Sequence, residues 1–399
     1  MKIKVLAGVM VCESQVTHMT VVDIRNVFEK RQIQLFYVDD DFIYYAEEKI
    51  HGDLSNLYIL EYNRDTRRER LVTNYTLEDS SFVQHIFAFD ESILLVLENG
   101  SSSLWIVEID RRSGMELSRR KLNFTGRFYE CKAIDANNLI FTTASDEKSK
   151  DFFKQYKALT KCDTLAYIYD IEQDKKSFIR CPLISKVGCG NLFTVGTSEG
   201  NKLIILDPWG DEETKSYYFR EQRWISADIR DNIWICDLDS ALLELKGGKD
   251  NLTVSCIASA DIKGMVRYAA ITDKKLYMRA THFKSGVQKI CSYDFENHNI
   301  EALAELLPCE DNEAYYVENR TGQTYRLTID EDKTLVESMM SDFKAEYKTC
   351  FGKFVACIEN RFIITNSDNK AIYIIDTKSG TENKYDCKCE IYGNTLVLY

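Results

Sequence analysis

The side chains able to do chemistry are few or scattered. Nucleophilic catalysis needs a base held beside a Ser or Cys, and the chain has only five histidines: His18, His51, His85, His282 and His298. His51 and His298 stand in polar, turn-like sequence that suits a surface role. His85 alternates within the strand pattern Val83 to Asp90, where it either fills a core or faces a central channel; a structural histidine is the simpler reading. Paired carboxylates could hydrolyse a glycoside, yet 63 acidic residues in 399 place candidate pairs in every short window and single out none. Asp39-Asp40-Asp41 reads as a strand-connecting turn rather than a cation loop. Cys387-x-Cys389, with Cys181 and Cys189 as a looser pair, lacks the doubled spacing of a zinc site. Gly188-Cys189-Gly190 lacks the strand-to-helix context of a phosphate loop. No catalytic residue, metal or cofactor is nominated.

Charge and cysteine usage narrow the class. A formal charge of −12 repels polyanions over most of the surface, which disfavours a nucleic-acid role. Basic residues do cluster, as Arg64, Arg67, Arg68 and Arg70, and as Arg111, Arg112, Arg119, Arg120 and Lys121. Both clusters fall on expected hairpins, where charge protects outer strands from edge-to-edge pairing; a local anion site is the alternative. The thirteen cysteines are odd in number and often sit inside strand-like runs such as Ile235-Cys236, which fits a reducing cytoplasm. The start, Met1 to Lys4 followed by Val5 to Cys12, imitates a lipoprotein signal, but Met10 and Val11 occupy places where small residues belong. No run approaches the roughly 18 apolar residues of a membrane span. A cytoplasmic protein without membrane association is expected.

The elements that would position such side chains recur. Leu57-Tyr58-Ile59-Leu60-Glu61-Tyr62-Asn63 is echoed by Leu104 to Asp110, by Ala166 to Asp170 and by Leu203 to Asp207, and later copies end at Asp294, Asp330 and Asp376. A degenerate copy is Ala241 to Leu245, running into Gly247-Gly248. The terminal residues Asn63, Asp110, Asp170 and Asp207 are 47, 60 and 37 apart, near the about 40 to 50 residues of a four-stranded propeller blade. An apolar run precedes each copy: Phe42 to Tyr45, Ile93 to Val96, Leu139 to Phe141, Ile233 to Ile235, Leu276 to Met278 and Phe362 to Ile364. These are short β-branched and aromatic runs bounded by Asp, Asn and Gly. The fullest unit runs Val83 to Asp90, Ile93 to Leu97, Leu104 to Asp110 and Met115 to Leu122. The terminal acid can accept backbone N–H groups of the following turn, and Gly114 or Gly380 supplies positive φ.

The form strand-Asp-x-x-Ser-Gly, in Ile109-Asp110-Arg111-Arg112-Ser113-Gly114 and Ile375-Asp376-Thr377-Lys378-Ser379-Gly380, resembles blade repeats of the PQQ-like and YVTN-like bacterial propellers within the broad WD40-like class. The resemblance implies an architecture and no chemistry. The fold class expected is all-β: a single β-propeller domain over 1–399 made of four-stranded antiparallel blades, eight favoured and seven next. An extra anchor at Asp23 and a terminal strand pair around Cys389 to Gly393 and Asn394 to Tyr399 would bring the units to nine, and the ring is expected to close by joining N- and C-terminal strands, since residues 391–399 read as strands with no outer partners.

One connection departs from the repeat. Ser145 to Thr164 swells the link between a second and a third strand, and within it Phe152, Phe153, Tyr156 and Leu159 recur at helical spacing. Met339 to Tyr347, with Met339, Met340, Phe343 and Tyr347, is also helix-capable. The inserted helix either packs on the propeller or offers Phe152, Phe153 and Tyr156 to a partner. The favoured function is therefore a non-catalytic interaction propeller that binds a protein or peptide on one face. The alternative is a propeller enzyme acting on a carbohydrate or other small molecule in a central pocket.

Overall fold

The computed structural model describes residues 20–25 and 33–399, apart from 40, 52–53, 78–80, 100–102, 198–199, 208–231, 254, 259–263, 272–273, 283–286, 307–312, 318–322, 330–332, 348–352, 359–360, 366–370, 377–378, 380 and 393–394. After β1 (Thr20–Asp23), strands pair in sets of four. The first sheet is β2 (Ile33–Val38), β3 (Phe42–His51), β4 (Leu54–Asn63) and β5 (Arg68–Leu77); the second is β6 (Ser81–Ala88), β7 (Ser92–Asn99), β8 (Ser103–Asp110) and β9 (Glu116–Asn123). The third is β10 (Arg127–Ala133), β11 (Asn138–Ala144), β12 (Thr164–Asp170) and β13 (Lys175–Ile179); the fourth is β14 (Leu192–Thr197), β15 (Gly200–Asp207), β16 (Asn232–Asp237) and β17 (Ser255–Ala258). The fifth is β18 (Gly264–Ile271), β19 (Lys275–His282), β20 (Gln288–Asp294) and β21 (Ile300–Leu306). The sixth is β22 (Glu313–Val317), β23 (Thr324–Ile329), β24 (Thr334–Ser338) and β25 (Lys344–Tyr347); the seventh is β26 (Lys353–Ile358), β27 (Arg361–Thr365), β28 (Ile372–Asp376) and β29 (Glu382–Tyr385). A last, three-stranded sheet places β31 (Thr395–Leu398) between β30 (Cys389–Tyr392) and β1. In each four-stranded sheet the strands lie side by side in chain order, and the fold class is all-β, built of the four-stranded antiparallel blades of a β-propeller.

The residues group into two compact units, one spanning 26–194 with 238–253, the other 11–25, 195–237 and 254–399. In the first, burial explains the apolar runs. Ile93 to Leu97 in β7 are all buried, because the sheet has a neighbour on both faces. Leu94, Val96, Leu104 and Ile106 pack with Phe141, Leu165 and Tyr169 of the third sheet. The alternate residues Ile93, Leu95, Leu97, Val107 and Ile109 pack with Tyr44, Leu57 and Ile59 of the first. The outer strand β9 has one covered face at most, so Glu116 to Asn123 is largely polar. In the second unit the same stacking joins fifth to sixth sheet through Ile290 and Tyr315, sixth to seventh through Leu327 and Phe362, and seventh to the three-stranded sheet through Ile374 and Leu396.

The acid-ended strands work as expected at the hairpins. Asp110 Oδ1 accepts the Ser113 N–H at 2.6 Å, Asp170 that of Gln173 at 2.8 Å, Asp294 that of Asn297 at 2.9 Å, Asp376 that of Ser379 at 2.9 Å, and Asn63 that of Thr66 at 2.7 Å. The fourth residue past the acid takes positive φ: Arg67 at 56°, Gly114 at 74°, Asp174 at 50° and His298 at 54°. Only Gly114 is a glycine there among the described residues; Gly380 lies outside them. Gly114 also has a steric reason, since a Cβ on it would stand 1.8 Å from the Val72 carbonyl oxygen of β5.

Among the described residues, the first strands of five sheets carry a bulge at matching places: between Leu35 and Tyr37, Val83 and His85, Phe128 and Glu130, Tyr268 and Ala270, and Phe354 and Ala356. The basic clusters tie sheet to sheet. Arg70 donates to the Arg112 carbonyl at 2.7 Å and Arg120 to that of Ile171 at 2.6 Å. Arg111 lies 5.1 Å from the ring centres of both Tyr37 and Tyr44 and 3.5 Å from Asp39.

Three expectations are corrected. Ala241 to Leu245 is no strand copy; it lies in a helix, Leu238–Lys246, that buries Leu238, Ala241, Leu242 and Leu245 at helical spacing. Leu203 to Asp207 is a second strand, β15, paired with Ile233 to Ile235 as the third, and the strand before Asp330, β23, is likewise a second strand; Asp330 itself lies outside the described residues. Met339 to Tyr347 forms a turn and then β25, because the Phe343 carbonyl accepts the Ser338 N–H at 2.9 Å and closes a hairpin.

Gly114→Ala combines an unfavourable φ with a backbone clash and lowers stability by about 2 kcal/mol or more. Arg67→Gly, at the equivalent place, stays within about 1 kcal/mol of the parent. Urea unfolding of both variants checks this, and equal midpoints would contradict it. Leu396→Ala, in the middle strand of the three-stranded sheet, costs about 2–5 kcal/mol by the same measurement.

Candidate functional site

The inserted link between β11 and β12 folds as the helix α1 (Lys150–Thr160). Its entry is fixed by a reciprocal pair: Asp146 Oδ1 accepts the Ser149 N–H at 2.8 Å and its hydroxyl at 2.5 Å, while Ser149 Oγ accepts the Asp146 N–H at 3.1 Å. The Ser149 hydroxyl holds the Asp146 carboxyl below its usual range. Its exit is a left-handed Lys161, φ 63°, whose N–H returns to the Lys157 carbonyl at 2.9 Å. Lys157 pairs with Asp163 at 2.6 Å across that turn.

A helix this short has marginal stability alone; one side chain docks it. Phe153 is 4% exposed and belongs to the core between second and third sheets. Its seat is Gly126, φ 89°, just before β10: a Cβ there would lie 2.8 Å from the Phe153 ring. Tyr156 packs half-buried against the same core, with its ring edge-on to Phe178 at 6.3 Å and its hydroxyl 3.4 Å from Ser185 Oγ. Ser185 lies in the second helix α2 (Pro182–Val187), whose carbonyl at Ser185 accepts the Thr164 hydroxyl at 2.6 Å. Phe152 stacks on Tyr156 at 6.4 Å yet is 49% exposed, and Leu159 is 84% exposed. Of the three residues nominated from sequence, Phe153 is thus the anchor, Tyr156 the bridge and Phe152 the outward member. Leu159 and Phe178 are also exposed, as are Lys148, Lys150, Lys154 and Lys161 and the acids Glu147 and Asp151 on or beside α1.

The remaining candidates lie elsewhere. His85 is buried, stacked on Phe87 at 5.6 Å and edge-on to Phe128 at 6.4 Å; its Nδ1 has no partner, and burial pushes its pKa down to about 4. A polar knot in the third sheet carries no motif of its own. There Glu130 accepts the Cys189 and Gly190 N–H groups at 2.5 and 3.2 Å, and Lys132 donates to the Leu192 carbonyl under the Phe193 ring, 4.3 Å away. Burial lowers Lys132 to about 8 against the pull of Cys189 and Glu130, and raises the Cys131 and Cys189 thiols. The knot holds the 3₁₀ turn Cys189–Asn191 to β10. His298 occupies a turn with Nδ1 2.9 Å from the Tyr293 hydroxyl, His51 and His282 end strands, and His18 lies outside the described residues. Cys131, Cys162, Cys181, Cys189, Cys236, Cys291, Cys387 and Cys389 are free thiols. Among the described residues no three His, Cys, Asp or Glu gather closely enough to hold a metal ion, and no helix is long and apolar enough to cross a membrane.

No protein-family model matches the chain, and no curated protein matches it in sequence. Solved structures similar to it include the uncharacterized protein lmo1340 from Listeria monocytogenes EGD-e, at 12% identity and a TM-score of 0.46, covering 92% of this chain and 97% of that one. The β-propeller domain of the Trilobed protease from Pyrococcus furiosus aligns at 10% identity and a TM-score of 0.41, covering 92% and 97%. A prolyl endopeptidase aligns at 9% identity and 0.48, over 90% of this chain; the chain spans 50% of that protein.

The depressed His85 pKa makes a pH prediction. The unfolded histidine titrates near 6.5 and the folded one near 4, so the unfolded state binds more protons between those values. Stability is full above about pH 6.5 and falls by up to about 3 kcal/mol as pH drops toward 4. His85→Phe flattens that part of the curve of unfolding free energy against pH; an unchanged slope in the variant refutes the assignment.

Proposed function

We propose that the chain is a non-catalytic interaction propeller that docks a protein or peptide partner on the α1 stripe. The observation that carries this reading is the division of labour along one helix. Phe153 and the Asp146–Ser149 pair fix the backbone, and Phe152 and Leu159, at 49% and 84% exposure, then stand in solvent on a rigid support. A preorganised apolar stripe loses little entropy on binding, and aromatic side chains are favoured anchors of interfaces. We further propose that the blades are kin to the PQQ-like and YVTN-like repeats, on the Asp-x-x-Ser-Gly hairpins. The two units are proposed to make one domain, closed where β1 joins β31, in a cytoplasmic protein that binds neither nucleic acid nor membrane.

Replacing residues 146–162 by a short Gly/Ser loop interrupts no strand, but it also removes the Phe153 anchor and so lowers the melting temperature. Phe152→Asp with Leu159→Asp is the finer variant, since both side chains are exposed and the anchor stays. In cross-linked pull-downs from native extract, a protein captured by the parent is lost from both variants. Its purified form binds the double variant at least about tenfold more weakly. Equal capture by the parent and the Phe152→Asp with Leu159→Asp variant, at unchanged melting temperature, rejects this site. Phe153→Ala has a different outcome: it removes a core anchor and costs about 3–5 kcal/mol of stability.

A further inference from the structure

The basic side chains of the first two sheets meet at a second place, away from α1. Between the outer strands β5 and β9 lies a cleft of about 330 Å³ lined by Thr73, Asn74, Tyr75, Thr76, Ile109, Glu116 and Arg119. Its walls are tied together. The Arg119 guanidinium lies 5.2 Å from the Tyr75 ring centre and forms a two-pronged pair with Glu116 at 3.1 and 2.8 Å. Gly114 against Val72 and Arg70 on the Arg112 carbonyl hold the β8–β9 hairpin to β5. On the same two strands and hairpin, Leu71, Met115 and Leu117 are 51%, 65% and 55% exposed, which is far more apolar exposure than an ordinary outer strand needs.

Both walls are also strand edges. β5 and β9 are the last strands of their sheets, ten and eight residues long, and such edges present backbone groups that another strand can pair with. Charge decides which strand. Residues 64–70 and 110–121 carry nine basic against four acidic side chains in a chain whose formal charge is −12. A second copy would bring the same basic edge and be repelled. An acidic strand would be attracted. Arg68 and Arg112 are exposed and complement such a segment without giving up the Arg70–Glu61 or Arg119–Glu116 pairs.

We propose that the surface around this cleft binds an extended acidic peptide segment of another protein, which adds as a strand beside β9, since the hairpin at Gly114 covers the β5 edge at Val72. Its apolar side chains rest on Leu71, Met115 and Leu117, and its carboxylates face Arg68 and Arg112. The site is independent of the α1 stripe, in position and in the residues it uses.

Fluorescence anisotropy with a short fluorescein-labelled peptide in which Glu alternates with Leu tests the proposal on the full-length protein. Its counterpart with Lys for Glu, and a single-stranded oligonucleotide of equal charge, serve as competitors. The acidic peptide binds with salt-dependent affinity, and neither competitor displaces it. Arg68→Glu with Arg112→Glu weakens binding by at least about tenfold, and Leu71→Asp with Met115→Ser does so without altering charge at the arginines. Replacing residues 146–162 leaves the affinity unchanged. Equal binding of the Glu and Lys peptides overturns the proposal, as does unchanged affinity in both double variants at unaltered melting temperature. Displacement by the oligonucleotide also overturns it, replacing a peptide site with a general polyanion surface.

Discussion

Face-to-face stacking of sheets through their two middle strands is the interaction on which everything else in this protein rests. Because β7 and β8 are covered on both sides, every residue from Ile93 to Leu97 is buried, and each alternate side chain belongs to a different neighbouring core. At about 25 cal/mol per Å² of apolar surface, such strands supply most of the gain that offsets chain entropy. The outer strands have no such duty. They are free to carry charge, and here that charge became a set of fasteners: Arg70, Arg111 and Arg120 each reach from one sheet to polar atoms of another.

What was legible in the sequence follows from that division. Doubly buried strands must read as unbroken apolar runs, and the hairpins that end them must spend a carboxylate on the turn, so the repeat at Asn63, Asp110, Asp170, Asp294 and Asp376 could be found. The count of strands within a repeat was less visible. Asp207 ends a second strand, and the helix at Leu238–Lys246 carries the apolar content of a strand, so an acid-ended apolar run does not by itself say which strand it is. The glycine signal was weaker than the conformation it marks, since Arg67, Asp174 and His298 adopt the same positive φ as Gly114. Met339 to Tyr347 misled because a turn and a short strand can imitate a helical face over nine residues.

At the candidate site the spacing of Phe152, Phe153, Tyr156 and Leu159 revealed a helix but not its rotation. Which ring points inward is set by Gly126, a residue in another link, and no pattern within residues 145–164 contains that information. The Glu130, Lys132 and Cys189 knot was invisible for the same reason: its members meet across about sixty residues through a backbone turn. The basic clusters could be seen but not interpreted, because whether an arginine is a fastener or a ligand depends on what lies opposite it.

The three-stranded sheet sets an order of events. Thr20 pairs with Thr395 and Asp23 with Leu398, in parallel, and β31 lies between β1 and β30. On the ribosome β1 emerges hundreds of residues before its partner, so over that interval it is an unsatisfied edge. Contacts of such sequence separation form slowly, and an edge left open is the usual start of misassembly. The first sheets can stack as they appear, whereas this one must wait for β31. A nascent chain stalled before residue 395 thus presents an unpaired β1, open to the chaperones and proteases that recognise bare strands.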